Sequence, residues 1–122
     1  MKVSDLKYER MTAETFCGEA ERIVAAIRGA KSADEVLKFR EQYVALNFEF
    51  LTAAGLADTR YTLNTVDEPY LQEKGYYDEI TPQVLSHQLQ YAAAMLESPF
   101  CKELEKALIP RVFRFYECQL KA

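Results

Sequence analysis

The apolar residues of this chain recur at steps of three and four along almost its whole length, a period that fits a helix and not a strand. Phe16, Ala20, Ile23, Val24 and Ile27 form one such stripe. Val36, Phe39, Tyr43, Val44, Asn47, Phe50, Leu51 and Ala54 form a second. Tyr70, Tyr77 and Ile80 lead into a third, carried on by Val84, Leu85, Leu89, Ala92, Ala93 and Leu96. Phe100, Leu104, Leu108, Val112, Phe115 and Tyr116 form the last. Only four Gly and four Pro interrupt 122 residues, so the helices should be long. The expected fold is all-α: about four long antiparallel helices, a bundle-like lobe, one domain over residues 1–122.

The ends of the helices can be read from their caps. Residues 1–11 form a short leader that Val3, Leu6 and Tyr8 could pin. Thr12 is an N-cap with Glu14 in the first turn, and Gly29 is placed to stop the helix. Ser32 and Glu35 make a capping box for the second helix. Gly55 lies inside that pattern but costs only about 1 kcal/mol relative to Ala, so the helix should pass through it to Arg60–Leu63. Asn64 to Asp67 reads as a turn. A third helix should start at Asp67 or Glu68, with Pro69 in its first turn. Gly75 should loosen it, and Thr81–Pro82 should kink or restart it. Ser98–Pro99 opens a last helix, in which Pro110 should cause a kink.

Composition excludes several functions. The formal net charge of −4 argues against a nucleic-acid partner. No apolar run is long enough to span a membrane. Cys17, Cys101 and Cys118 are few, odd in number and far apart, as expected of buried, inert, reduced thiols in a cytoplasmic protein.

Motifs for chemistry are scarce. His87 is the only histidine, and Val84 stands where a Glu-x-x-His pair would need its acid. No H-E-x-x-H, Gly-rich phosphate loop or G-x-S-x-G is present. The acids Asp67, Glu68, Glu73, Asp78 and Glu79 could supply carboxylates for acid–base work. Their positions suit a helix start and a solvated face better.

The order of several short pieces is more informative. Tyr8-Glu9-Arg10 opens the chain, and Ala30 to Glu35 turns into the second helix. Arg60 precedes a Thr-x-Asp-x-x-Tyr pattern at Thr65, Asp67 and Tyr70. Tyr-Tyr-Asp-Glu-Ile-Thr-Pro follows from Tyr76 to Pro82, and Leu96 to Phe100 closes the series. In this order the pieces resemble the N-terminal region of the oligoendopeptidase F family, zinc metallopeptidases related to thimet oligopeptidase and neurolysin.

The resemblance implies a helical lobe that helps wall a deep channel, where a zinc-activated water cleaves short peptides. In the family two histidines of H-E-x-x-H and a later glutamate hold the zinc, and the motif's own glutamate is the general base. None of these positions exists here. No catalytic or metal residue carries over, no cofactor is expected in this chain, and the chain alone should be inactive. The matching residues Arg60, Thr65, Asp67 and Tyr70 are expected to be structural, with Arg60 and Asp67 paired across the turn. Tyr76 and Tyr77 are candidates to face the channel. The expected partner is the remainder of the peptidase, or a second copy through the last helix. The alternative is a stand-alone helical interaction or dimerisation module without catalysis.

Overall fold

The computed structural model describes residues 8–108 and 110–121. Val3 and Leu6 of the leader lie outside the described residues. Among the described residues five helices follow one another: α1 (Ala13–Arg28), α2 (Ala33–Leu63), α3 (Glu68–Leu96), α4 (Cys101–Ala107) and α5 (Pro110–Lys121). At 1.5 Å per residue, α2 and α3 are rods of roughly 45 Å and α1 spans about half that length. The loops between the first three helices are only a few residues long, so each helix reverses the direction of the one before. Tyr43 stacks on Tyr91 while Phe50 meets Tyr77, which fixes α2 and α3 as antiparallel. Helix α1 packs against both, and α5 lies along α3.

The caps form largely as the sequence implies. Thr12 Oγ1 accepts from the Thr15 N–H at 3.1 Å. Ser32 Oγ accepts from the Glu35 N–H at 3.2 Å. The return arm of the capping box is displaced by one residue: Glu35 Oε2 accepts from the Lys31 N–H at 2.6 Å. Gly29 ends α1 with φ −95°, outside the left-handed region.

Prolines separate expectation from outcome. Pro82 does not restart α3, which runs unbroken from Glu68 to Leu96. The Thr81 hydroxyl instead turns back to donate to the Tyr77 carbonyl at 2.7 Å. Pro110 does more than kink. It cannot donate to the carbonyl four residues back and its ring would clash there. Helix α4 therefore ends at Ala107, Leu108 is extended, and Pro110 opens a new helix. Five helices thus stand where about four were expected.

The break also resets the register. Phe113 and Tyr116 face the core, while Phe115, expected inside, is 59% exposed. On α1 all five expected residues are buried. On the two long helices Leu46, Tyr91 and Met95 are buried in addition, whereas Val44, Leu51, Leu85 and Leu89 are exposed.

Gly55 and Gly75 lie inside helices on exposed faces, and a Cβ at either would meet no atom within 4 Å. Gly75 does not interrupt α3. Alanine is favoured over glycine in a helix by about 1 kcal/mol. Gly55→Ala and Gly75→Ala should therefore each raise the urea midpoint by about 1 kcal/mol of stability. A fall in the midpoint would place a neighbour where the structure shows open space.

Candidate functional site

The segment from Arg60 to Pro82 ends α2, turns, and supplies the first half of α3. Its turn is organised by Asn64. Asn64 Oδ1 accepts from the backbone N–H groups of Val66 and Asp67, at 3.1 and 3.2 Å. Its Nδ2 donates to Asp67 Oδ2 at 2.8 Å. Short polar side chains close turns in this manner by standing in for a backbone partner. The Asp67 carbonyl accepts from the Tyr70 N–H at 3.2 Å, which starts α3. Arg60 lies over the ring of Tyr8, 5.0 Å from its centroid. Thr65 is exposed.

The strongest cluster joins residues 8–13 to the first turns of α3. Arg10 grips Glu73 through two parallel bonds, Nε to Oε2 at 3.0 Å and Nη2 to Oε1 at 2.6 Å. The Tyr8 hydroxyl lies 2.7 Å from Glu73 Oε2 and 2.8 Å from the Tyr77 hydroxyl. An ionised carboxylate only accepts, so Tyr8 gives its single proton to Glu73 and Tyr77 donates to Tyr8. The Tyr77 oxygen accepts in turn from the Met11 N–H at 2.9 Å. The Tyr76 hydroxyl accepts from the Ala13 N–H at 2.8 Å, and Arg10 covers its ring at 4.1 Å.

This network is a clasp, and its electrostatics fit that role. The Arg10 fork holds the Glu73 carboxyl below its ordinary range, against the opposing effect of burial and with help from Tyr8. Burial, then the bonds to Tyr77 and Glu73, push the Tyr8 hydroxyl well above its ordinary value. Glu73 is thus a half-buried tether, not part of a solvated face. Tyr77 is turned inward, 4% exposed, and Tyr76 is half-buried with its hydroxyl engaged by the first residue of α1. Of the other acids, Asp78 pairs with Lys74 at 2.7 Å, one helical turn away.

Arg10 and Glu73 are the residues that sequence reading missed as partners. Their spacing of 63 residues gives no periodic signal.

His87 has Nδ1 2.8 Å from the Gln83 carbonyl and Nε2 3.2 Å from Glu21 Oε1. Among the described residues no group of three His, Cys, Asp or Glu side chains could hold a metal ion. The zinc that the resemblance implies therefore does not fit the donors found here. Cys17 and Cys101 are half-buried, and burial raises both thiols. Cys118 is exposed, against expectation, because α5 turns it to solvent. No described helix is long and apolar enough to cross a membrane.

A lobe of this shape occurs in solved peptidases. It superposes on PZ peptidase A, solved with an inhibitor, at a TM-score of 0.93 and 30% identity, covering 98% of this chain and 21% of that one. A protein bearing the name oligoendopeptidase F gives 0.93 and 31%, with 99% and 21% covered. Another of that name, from Bacillus anthracis str. Ames, gives 0.92 and 27%, with 97% and 22% covered. The chain thus spans about a fifth of the length of these solved relatives. No curated protein sequence matches it. Residues 3–122 match the Peptidase M3 N-terminal domain, and the chain belongs to that family.

Proposed function

We propose that this chain is the N-terminal helical lobe of an oligoendopeptidase F-type metallopeptidase, and that it walls the channel in which short peptides are hydrolysed. The observation that carries the reading is the agreement of sequence and backbone over one span: a family match from residue 3 to 122, and a TM-score of 0.93 with PZ peptidase A. Zinc would supply the attacking water and would be bound elsewhere in the peptidase, since the described residues of this lobe offer no donor set. The lobe's own residues hold its shape. Arg60, Thr65, Asp67 and Tyr70 belong to the α2–α3 corner and serve structure, as do Tyr76 and Tyr77 in the clasp. A cytoplasmic location is part of the same reading, in keeping with three free cysteines.

Phe48 is 69% exposed, and Phe115 and Leu120 leave further apolar surface on α5. These side chains support a face covered by the remainder of the peptidase, or by a second copy if the chain acts as an interaction module.

The test is a graft. The chain replaces the matching fifth of the Bacillus anthracis relative, and a quenched fluorescent peptide reports hydrolysis. Activity within about tenfold of the parent kcat/KM is expected, with none above buffer from the chain alone. A folded graft with no activity, or hydrolysis by the chain alone, would overturn the reading.

A further inference from the structure

The seam between α1 and α3 holds the chain's single histidine. The two helices run parallel, and polar contacts tie them near each end and in the middle. The Tyr76 hydroxyl meets the Ala13 N–H at 2.8 Å, and Arg28 pairs with Glu97 at 2.8 Å. Between these lies His87. Its side chain is only 13% exposed, against 68% for that of Glu21. Nδ1 lies 2.8 Å from the Gln83 carbonyl, one turn back on α3, and Nε2 lies 3.2 Å from Glu21 Oε1 on α1. No other described residue bonds the ring, whether from α3 itself or from α2 or α5. Cys17 sits one turn before Glu21 on α1. Burial and the Glu21 charge raise its thiol, so it carries no charge at neutral or acid pH.

A carbonyl and an ionised carboxylate only accept hydrogen bonds. A neutral imidazole carries one proton, so it can satisfy one of these two acceptors. The Gln83 carbonyl is fixed in the helix, whereas the Glu21 side chain is exposed and free to turn to water. The neutral ring therefore keeps its proton on Nδ1 and meets Glu21 with a lone pair, which repels the carboxylate. The charged ring donates from both nitrogens, and its second proton makes a charge-assisted bond to Glu21. The contact at 3.2 Å thus belongs to the protonated ring.

We propose that His87 is a proton-operated tie between α1 and α3: Nδ1 stays bonded to the Gln83 carbonyl in both states, and Nε2 bonds Glu21 only when the ring holds a second proton. The tie needs an ionised glutamate and a charged histidine, so it is made in mildly acid solution, between about pH 5 and about pH 6.5. Its sign follows from the proton it needs: the stability is present below the histidine range and lost as pH rises through it. That is opposite to Glu73, whose contribution is lost on acidification. The contacts of Tyr76 and Arg28 do not titrate in this range, so α1 keeps its ends while its middle tightens. The proposal does not rest on the peptidase reading, because every atom it uses lies within this chain.

The experiment is a long-range nitrogen–proton NMR correlation of the His87 ring in the whole 122-residue chain, joined to a double-mutant cycle. At about pH 8.5 the ring's single proton should sit on Nδ1, and at about pH 5.5 both nitrogens should carry one. In the cycle of Glu21→Ala and His87→Ala, the two side chains should be coupled by a factor of about two to five in the unfolding constant at about pH 5.5. The coupling should vanish at about pH 8.5. A neutral ring protonated on Nε2, equal coupling at both pH values, or no coupling in acid overturns the proposal. Glu21 is exposed, so its variant keeps the test decisive if His87→Ala unfolds. Glu21→Ala should then speed exchange of the Nε2 proton with water about two- to fivefold at about pH 5.5, and an unchanged rate overturns the proposal.

Discussion

Phe16→Ala should cost the fold about 3–5 kcal/mol, a large share of the roughly 5–15 kcal/mol that keeps a domain folded. Phe16 is 0% exposed, and its ring sits 5.4 Å from that of Phe50. The Phe50 ring is in turn 5.8 Å from Tyr77. These three rings tie α1 to α2 and α2 to α3 in one contact series. Truncating the first leaves a cavity where rigid helices can close in only partly, so the lost transfer energy is joined by a cavity term. The control is Phe115→Ala on α5, where the ring is largely in water and the loss should stay below about 1 kcal/mol. Urea unfolding of both variants checks the pair. Equal losses would mean that α5 packs in the other register.

Helix α1 was legible residue by residue because it buries one stripe. Helices α2 and α3 were legible in extent, since no breaker between Ala33 and Leu63 costs more than a single glycine. Their buried faces were less so. Besides the three-helix core that α1 shares, α2 also meets α4 and α3 also meets α5, so residues off the main stripe, such as Leu46 and Tyr91, go inside. The rim of the same stripe, such as Val44 and Leu89, is left out. A single-period reading cannot know how many neighbours a helix has. The two prolines show a similar limit. Both are flanked by helical pattern, yet α3 absorbs Pro82 while the chain breaks at Pro110. The family was legible because the order of short pieces survives where each piece alone is weak. The clasp was not legible, because Arg10 and Glu73 meet only through the third dimension.

Tyr77→Phe should release the N-terminal segment while leaving the helices folded. The substitution keeps the ring in the core and removes one oxygen. The Met11 N–H loses its acceptor, and Tyr8 loses the donor that orders its hydroxyl. A lost hydrogen bond of this kind is worth about 1–3 kcal/mol, so hydrogen exchange at Met11 should quicken by roughly ten- to a hundredfold. The Ala13 amide, bound to Tyr76, should change less. Glu73 adds a pH dependence whose sign follows from its lowered carboxyl. A group held below its unfolded value stabilises the fold above that value, near 4.3 for a glutamate, and the gain is lost as pH falls through the lower folded value. Protection at Met11, corrected for intrinsic exchange, should therefore hold from neutral pH down to about pH 5 and decline below it. Glu73→Gln should flatten that decline, because glutamine has no proton to gain and cannot form the charged fork with Arg10. If Met11 exchanges at the same rate in Tyr77→Phe as in the parent, the leader is held by something other than this clasp. The acids of α3 would then return to the surface role that their spacing first suggested.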